Sequence, residues 1–169
     1  MAYDPVAALG TLVRHGVRFV VIGGVAGRLW GSPTVTNDVD VCYERSHPNL
    51  ERLAAALMEL SATLRGVDEE VPFILDAEAL ERGQNFTFTT SLGPVDILGL
   101  PAGVRDFEEL AANAVRFDLG DGVLVDVCHL DDLIRMKRAA GRPKDRIELE
   151  VLGAVREERD RQAPLSDPS

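Results

Sequence analysis

Residues Gly23 to Val41 read GGVAGRLWGSPTVTNDVDV, and the reading of this stretch decides the fold. The residues just before it, VRFVVI (17–22), are apolar and β-branched, the pattern of a buried strand. Gly23 and Gly24 close that strand, and the chain turns into a short helix ending near Gly31. SPTVTN is a loop, and DVDVCY (38–43) is the second strand. Alternate side chains of a strand share a face, so Asp38 and Asp40 point one way while Val39 and Val41 point into the core. Their Cα atoms then lie about 7 Å apart, a separation at which two carboxylates repel unless a cation lies between them.

The rest of the chain extends this pattern. Val6, Leu9, Leu12 and Val13 have helical spacing over 4–15, and His15-Gly16 ends that helix. Leu50, Leu53, Leu57, Leu60 and Leu64 form one stripe, which predicts an amphipathic helix over 49–64. Residues 65–83 are mixed and read as mostly loop. NFTFTT, SLG and PVDILG predict a hairpin, and VRFDLGDGVLVDVC predicts a second one turning at Gly120-Asp121-Gly122, with a helix near 106–114 between them. Two closing helices follow, the first capped by Asp131 or Asp132 and stopped by Gly141, the second opening at Pro143. Ile147, Val151, Leu152 and Val155 give the last helix its expected buried stripe. The expected architecture is α+β: a mixed β-sheet flanked by helices, with the C-terminal helices packed alongside. The expected organisation is one domain over 1–160 and a disordered tail over 161–169.

A chain of 169 residues that is 46% hydrophobic can build one real core. No apolar run reaches the length of a membrane span, and the N-terminus MAYDPVAALG lacks the basic and apolar regions of a signal peptide, so a cytoplasmic protein is expected. Cys42 and Cys128 sit in strand-like VDVC segments where a buried thiol is the default, and no Cys/His cluster points to zinc. The net charge of -10 argues against a general nucleic-acid coat, whose affinity comes from cations meeting phosphates. The positive charge is uneven, however: Arg135, Lys137, Arg138, Arg142, Lys144 and Arg146 crowd together near the end.

Hard divalent ions take oxygen ligands, with carboxylates, water and substrate phosphates sharing the shell. Gly23 and Gly24 supply the phosphate side, since bare backbone at a helix N-terminus lets N–H groups approach a phosphate closely. The short helix and return loop bring this cradle and the two aspartates to one edge of the sheet. A third carboxylate completes a two-metal arrangement. Asp96 in PVDILG is preferred, because Val95 and Ile97 would face the core and leave it on the open face; Asp126 in LVDVC is the fallback.

With those residues in view, the chain resembles the nucleotidyltransferase superfamily: an apolar strand ending in Gly-Gly, then Thr36-x-Asp38-x-Asp40, and later Asp96. Within it the chain looks like the bacterial branch of AbiE-type and MenA-type toxins of toxin–antitoxin pairs. LIRMKRAAGRPKDRIELEVL (133–152) is similar to that branch's closing segment. The resemblance implies that Lys137 meets the triphosphate, that Lys144 assists it, and that Asp145 helps position the reacting groups. It also implies Gly23, Gly24 and Thr36 at the nucleotide, two Mg2+ ions or Mn2+ at Asp38, Asp40 and Asp96, and an NTP such as ATP as substrate. The implied acceptor is a tRNA 3′ end or a protein hydroxyl, and the implied partner a cognate antitoxin. Many relatives carry a basic residue where this chain reads SPTVTN, which leaves Arg28 as the candidate to supply that contact.

Each feature also has a plainer reading. Gly-Gly after a strand is commonly just a turn, Asp-Val-Asp can be a solvated strand edge, and basic runs usually decorate exposed helix faces. Asn85, Thr87 and Thr89 suit the outer face of a hairpin, and Trp30 needs only a place to bury its ring. Three motifs meeting at this spacing favour an enzyme. The competing class is a non-catalytic nucleotide-binding or protein-interaction module that keeps the fold.

Overall fold

The computed structural model describes residues 3–67 and 73–163. Helix α1 (Pro5–Arg14) starts where the Asp4 side chain accepts from the Ala7 N–H, with Pro5 in the first turn, and it buries Leu9 and Leu12. Strand β1 (Phe19–Ile22) is buried along its whole length. Helix α2 (Gly23–Trp30) follows with no intervening loop and ends at Gly31, whose φ of 118° lets its N–H turn back to the carbonyls of Arg28 and Gly27. The SPTVTN loop returns the chain to β2 (Val39–Tyr43).

Helix α3 spans His47–Glu59, capped by Ser46, and stops short of the expected 49–64. Ser61 takes a positive φ of 54° and breaks the helix, and Thr63–Leu64 form β3 instead. The leucine stripe continues in sequence, but the backbone groups of this stretch are satisfied in a ladder instead: Thr63 and Leu64 pair with Thr89 and Phe88. The stretch read as loop also holds a helix, α4 (Ala77–Arg82), capped by Asp76. At six residues it is too short to show a helical period.

Strands β4 (Asn85–Thr90) and β5 (Gly93–Leu98) form the expected hairpin. Helix α5 (Phe107–Asn113) leads to the second hairpin, β6 (Val115–Asp118) and β7 (Leu124–Val127), whose turn carries positive φ at Gly120, Asp121 and Gly122. Helix α6 (Leu130–Ala140) is capped by His129, whose Nδ1 accepts from the Asp131 N–H. Asp131 and Asp132 sit inside its first turn, where a carboxylate favours the helix dipole without being the cap. Gly141 stops it in the left-handed region, as expected. Helix α7 (Pro143–Gln162) runs into the segment expected to be tail; residues 164–169 lie outside the described residues.

The strands form one mixed sheet in the order β3-β4-β5-β2-β1-β7-β6. β2 runs parallel to β5 and β1 parallel to β7, and the remaining pairs are antiparallel. Helices α1, α3 and α4 pack among themselves, while α2, α6 and α7 form a second group. The core joins both to the central strands through Val20, Val21, Val41, Leu53, Ile97, Leu133 and Leu152. Of the stripe expected on α7, Leu152 alone is fully buried; Ile147 is 71% exposed. Both cysteines are buried and free. Among the described residues, no helix is long and apolar enough to cross a membrane.

Candidate active site

Parallel pairing of β2 with β5 puts Asp40 directly opposite Asp96. Their flanking residues Val39, Val41, Val95 and Ile97 are buried, so alternation turns both carboxylates to the other side of the sheet. Asp38, one residue ahead of β2, joins them: one carboxylate oxygen from each of Asp38, Asp40 and Asp96 lies within 4.8 Å of the others. Such a hard, all-oxygen donor set fits magnesium or manganese. Three like charges at this separation are costly without a cation. Burial first, then Asp38 and Asp96, pushes the Asp40 carboxyl up to about 7. Burial also raises Asp96, against the opposing pull of Arg65.

Asp126 does not join the trio. It lies on β7, opposite Arg116 of β6, and pairs with that guanidinium at 3.1 Å.

The glycine pair is fixed by this site as well as by the turn. Gly23 has a φ of 67°, and a Cβ there would run into the Asp40 carboxylate. A Cβ on Gly24 would lie 2.6 Å from the Thr36 hydroxyl. That hydroxyl donates to the Asp38 carbonyl at 3.2 Å and reaches its carboxylate at 3.3 Å, fixing the first aspartate. Tyr3 donates to the same carbonyl at 3.0 Å. No side chain caps the N-terminus of α2, so its leading N–H groups face the cleft bare beside the carboxylates.

A cleft of about 970 Å³ runs over these groups and takes in Lys137, Arg142, Lys144 and Asp145. Lys137 of α6 stands 3.6 Å from Asp145, and its side chain is 18% exposed. Asp145 is nearly sealed, and Arg142 grips it through two guanidinium contacts and a backbone N–H. Burial alone would raise the Asp145 carboxyl, but these bonds win and hold it below the usual range. Lys144 is exposed at the rim. Asn85 lines the cleft, and Thr87 sits opposite Asp96 on β4. Arg28 faces elsewhere: it donates to the Pro33 carbonyl at 3.0 Å and lines a separate apolar cavity of about 330 Å³.

Besides Tyr3, two contributors were not read from the sequence. Glu148 accepts from Ser32 at 3.0 Å and Thr34 at 2.6 Å, fastening the SPTVTN loop to α7. Its position three residues after Asp145, a polar side chain beside a polar loop, was the available signal. Arg65 pairs with Asp96 at 2.5 Å from the poorly patterned segment after β3, where no motif marks it.

No family model matches the chain, and no curated protein does. Solved structures do. A Thermotoga maritima protein assigned as a nucleotidyltransferase (TM1012) superposes with a TM-score of 0.53 at 18% identity, covering 85% of this chain and 86% of that one. The antibiotic-resistance factor ANT(2'')-Ia superposes with a TM-score of 0.51 at 15% identity, covering 95% of this chain and 94% of that one. The chain thus shares the mixed-sheet fold of these two proteins, and it carries an acidic trio suited to a divalent ion.

Proposed function

We propose that the protein is a divalent-metal-dependent nucleotidyltransferase that moves a nucleoside monophosphate from an NTP to an acceptor hydroxyl and releases pyrophosphate. One observation carries this reading: Asp38, Asp40 and Asp96 converge beside the uncapped, glycine-opened start of α2. Mg2+ or Mn2+ held by the three carboxylates would supply Lewis-acid activation of the hydroxyl and charge neutralisation on the triphosphate. Gly23 and Gly24 let backbone N–H groups approach the phosphates, and Thr36 keeps Asp38 in register. Asp96 takes up the proton of the hydroxyl as the new oxygen–phosphorus bond forms and the bond to pyrophosphate breaks. Lys137, aimed by Asp145, and Lys144 stabilise the charge growing on pyrophosphate.

The resemblance to AbiE-type and MenA-type toxins extends this reading to a tRNA 3′ end or a protein hydroxyl as acceptor, a cognate antitoxin as partner and a cytoplasmic setting. Incubation with each labelled NTP, Mg2+ and either total tRNA or cell protein tests it. Label moves to one acceptor class with wild type and not with Asp40→Ala. Nucleotide binding with no transfer to either acceptor rejects the enzyme in favour of a binding module.

A further inference from the structure

A transverse row crosses the open face of the sheet. Asp40 of β2 is opposite Asp96 of β5, Asp96 is opposite Thr87 of β4, and the N–H of Arg65, just past β3, donates to the Thr87 carbonyl at 2.9 Å. From the far end of this row the Arg65 guanidinium returns to Asp96. The phosphate cradle lies at the other end, because Ile22, immediately before Gly23, is the partner of Asp40 on β1. In-line displacement at phosphorus puts the entering hydroxyl opposite the leaving pyrophosphate. The acceptor therefore arrives from the side of Asp96 and Arg65.

Resting on the reading of the site as a nucleotidyltransferase centre, we propose that Arg65 is a positioning residue: by holding one oxygen of Asp96, it leaves only the other to face the metal ions and the acceptor hydroxyl. The geometry supports this in three ways. Arg65 grips one named oxygen, Oδ1, at 2.5 Å, so the carboxylate cannot turn freely. The Asp96 side chain is only 18% exposed, so water competes poorly for that bond. The Arg65 backbone is itself tied into the sheet edge, which anchors the root of the side chain within reach of Asp96. Without Arg65 both carboxylate oxygens are available to close on one cation, which holds the ion more tightly and misdirects the oxygen that should take the acceptor's proton.

The test uses the full chain and Mn2+ as the probe, read by electron paramagnetic resonance. Arg65→Met should tighten Mn2+ binding by roughly fivefold in the wild-type background, where a competing cation has been removed. In an Asp96→Asn background the same substitution should change it less than about twofold, because the effect runs through that carboxylate. In label transfer, Arg65→Met should lower kcat about tenfold or more with KM for the NTP nearly unchanged, and Arg65→Lys should restore most of the rate. The assignment is overturned by unchanged Mn2+ affinity, by an equal change in both backgrounds, or by a wild-type kcat in Arg65→Met. Should the wild-type chain transfer no label, the nucleotidyltransferase reading falls, while the Mn2+ comparison still decides whether Arg65 governs Asp96.

Discussion

The tetrapeptide Val-Asp-Val-Cys occurs twice, at 39–42 and 125–128, and the two copies flank the same central strand. In both, the valines and the cysteine are buried and the aspartate looks away from the core. Their cross-strand neighbours differ. Asp126 faces Arg116 and forms a surface ion pair, whereas Asp40 faces Asp96 and has Asp38 two residues behind it. The arginine opposite Asp126 leaves it in a simple ion pair; the aspartate opposite Asp40 calls for a cation from outside. Chemistry here is decided by the residue across the ladder together with the aspartate that precedes the first copy.

The largest expected contrast tests that directly. Asp40→Asn should lower label transfer about a thousandfold, some 4 kcal/mol of barrier, while Asp126→Asn stays within twofold. Comparable losses from both would erase the distinction between the two copies. Next comes the glycine behind Asp40. Gly23→Ala combines an unfavourable φ with a methyl group driven onto the carboxylate, so Mn2+ affinity should fall at least about tenfold and stability by about 1 to 2 kcal/mol. Titration calorimetry and denaturant melts measure the two effects, and an unaltered Mn2+ affinity would show that the close approach is unimportant.

A pH experiment separates the copies more gently. The folded protein keeps the Asp40 proton up to about 7, against an ordinary value of 3.8, so it binds that proton more tightly than the unfolded chain does. The resulting stabilisation is complete below pH 3.8 and disappears as pH climbs through about 7. Melting temperatures of the metal-free protein across that window should show this loss. Asp40→Asn should flatten the slope, as should saturating Mg2+, and a slope that survives Asp40→Asn assigns it to another group. The smallest effect belongs to Arg116→Gln, which removes an exposed pair and should cost less than about 1 kcal/mol. A larger loss in a thermal melt would make the second copy more than a surface contact.

Much of this site was legible because it is local. Phe19 through Tyr43 spans one strand–helix–strand unit, and strand alternation puts Asp40 on the open face with Asp38 just ahead of it. Asp96 was legible one step further, since buried Val95 and Ile97 fix its direction. Asp96 and Asp126 both sit in apolar strands, and the sheet order that sets β5 beside β2 gives the preference for Asp96 its physical reason. Arg65 was hidden because its role depends on a two-residue strand at the sheet edge, where the leucine stripe favours continuing α3. Ile147 was misread for a related reason. Its position suits a buried stripe, but the first turns of α7 border the cleft instead of the core.

Helix α7 carries Asp145 and Glu148 three residues apart, hence on neighbouring positions of one face, and each has a different client. The former steadies Lys137 at one wall, the latter the loop that leads into the carboxylates at the other. A small rotation of this single rod would therefore loosen both walls together. Amide hydrogen exchange in the loop and around Lys137 should then rise in step, as one cooperative breathing motion, whenever that helix is disturbed.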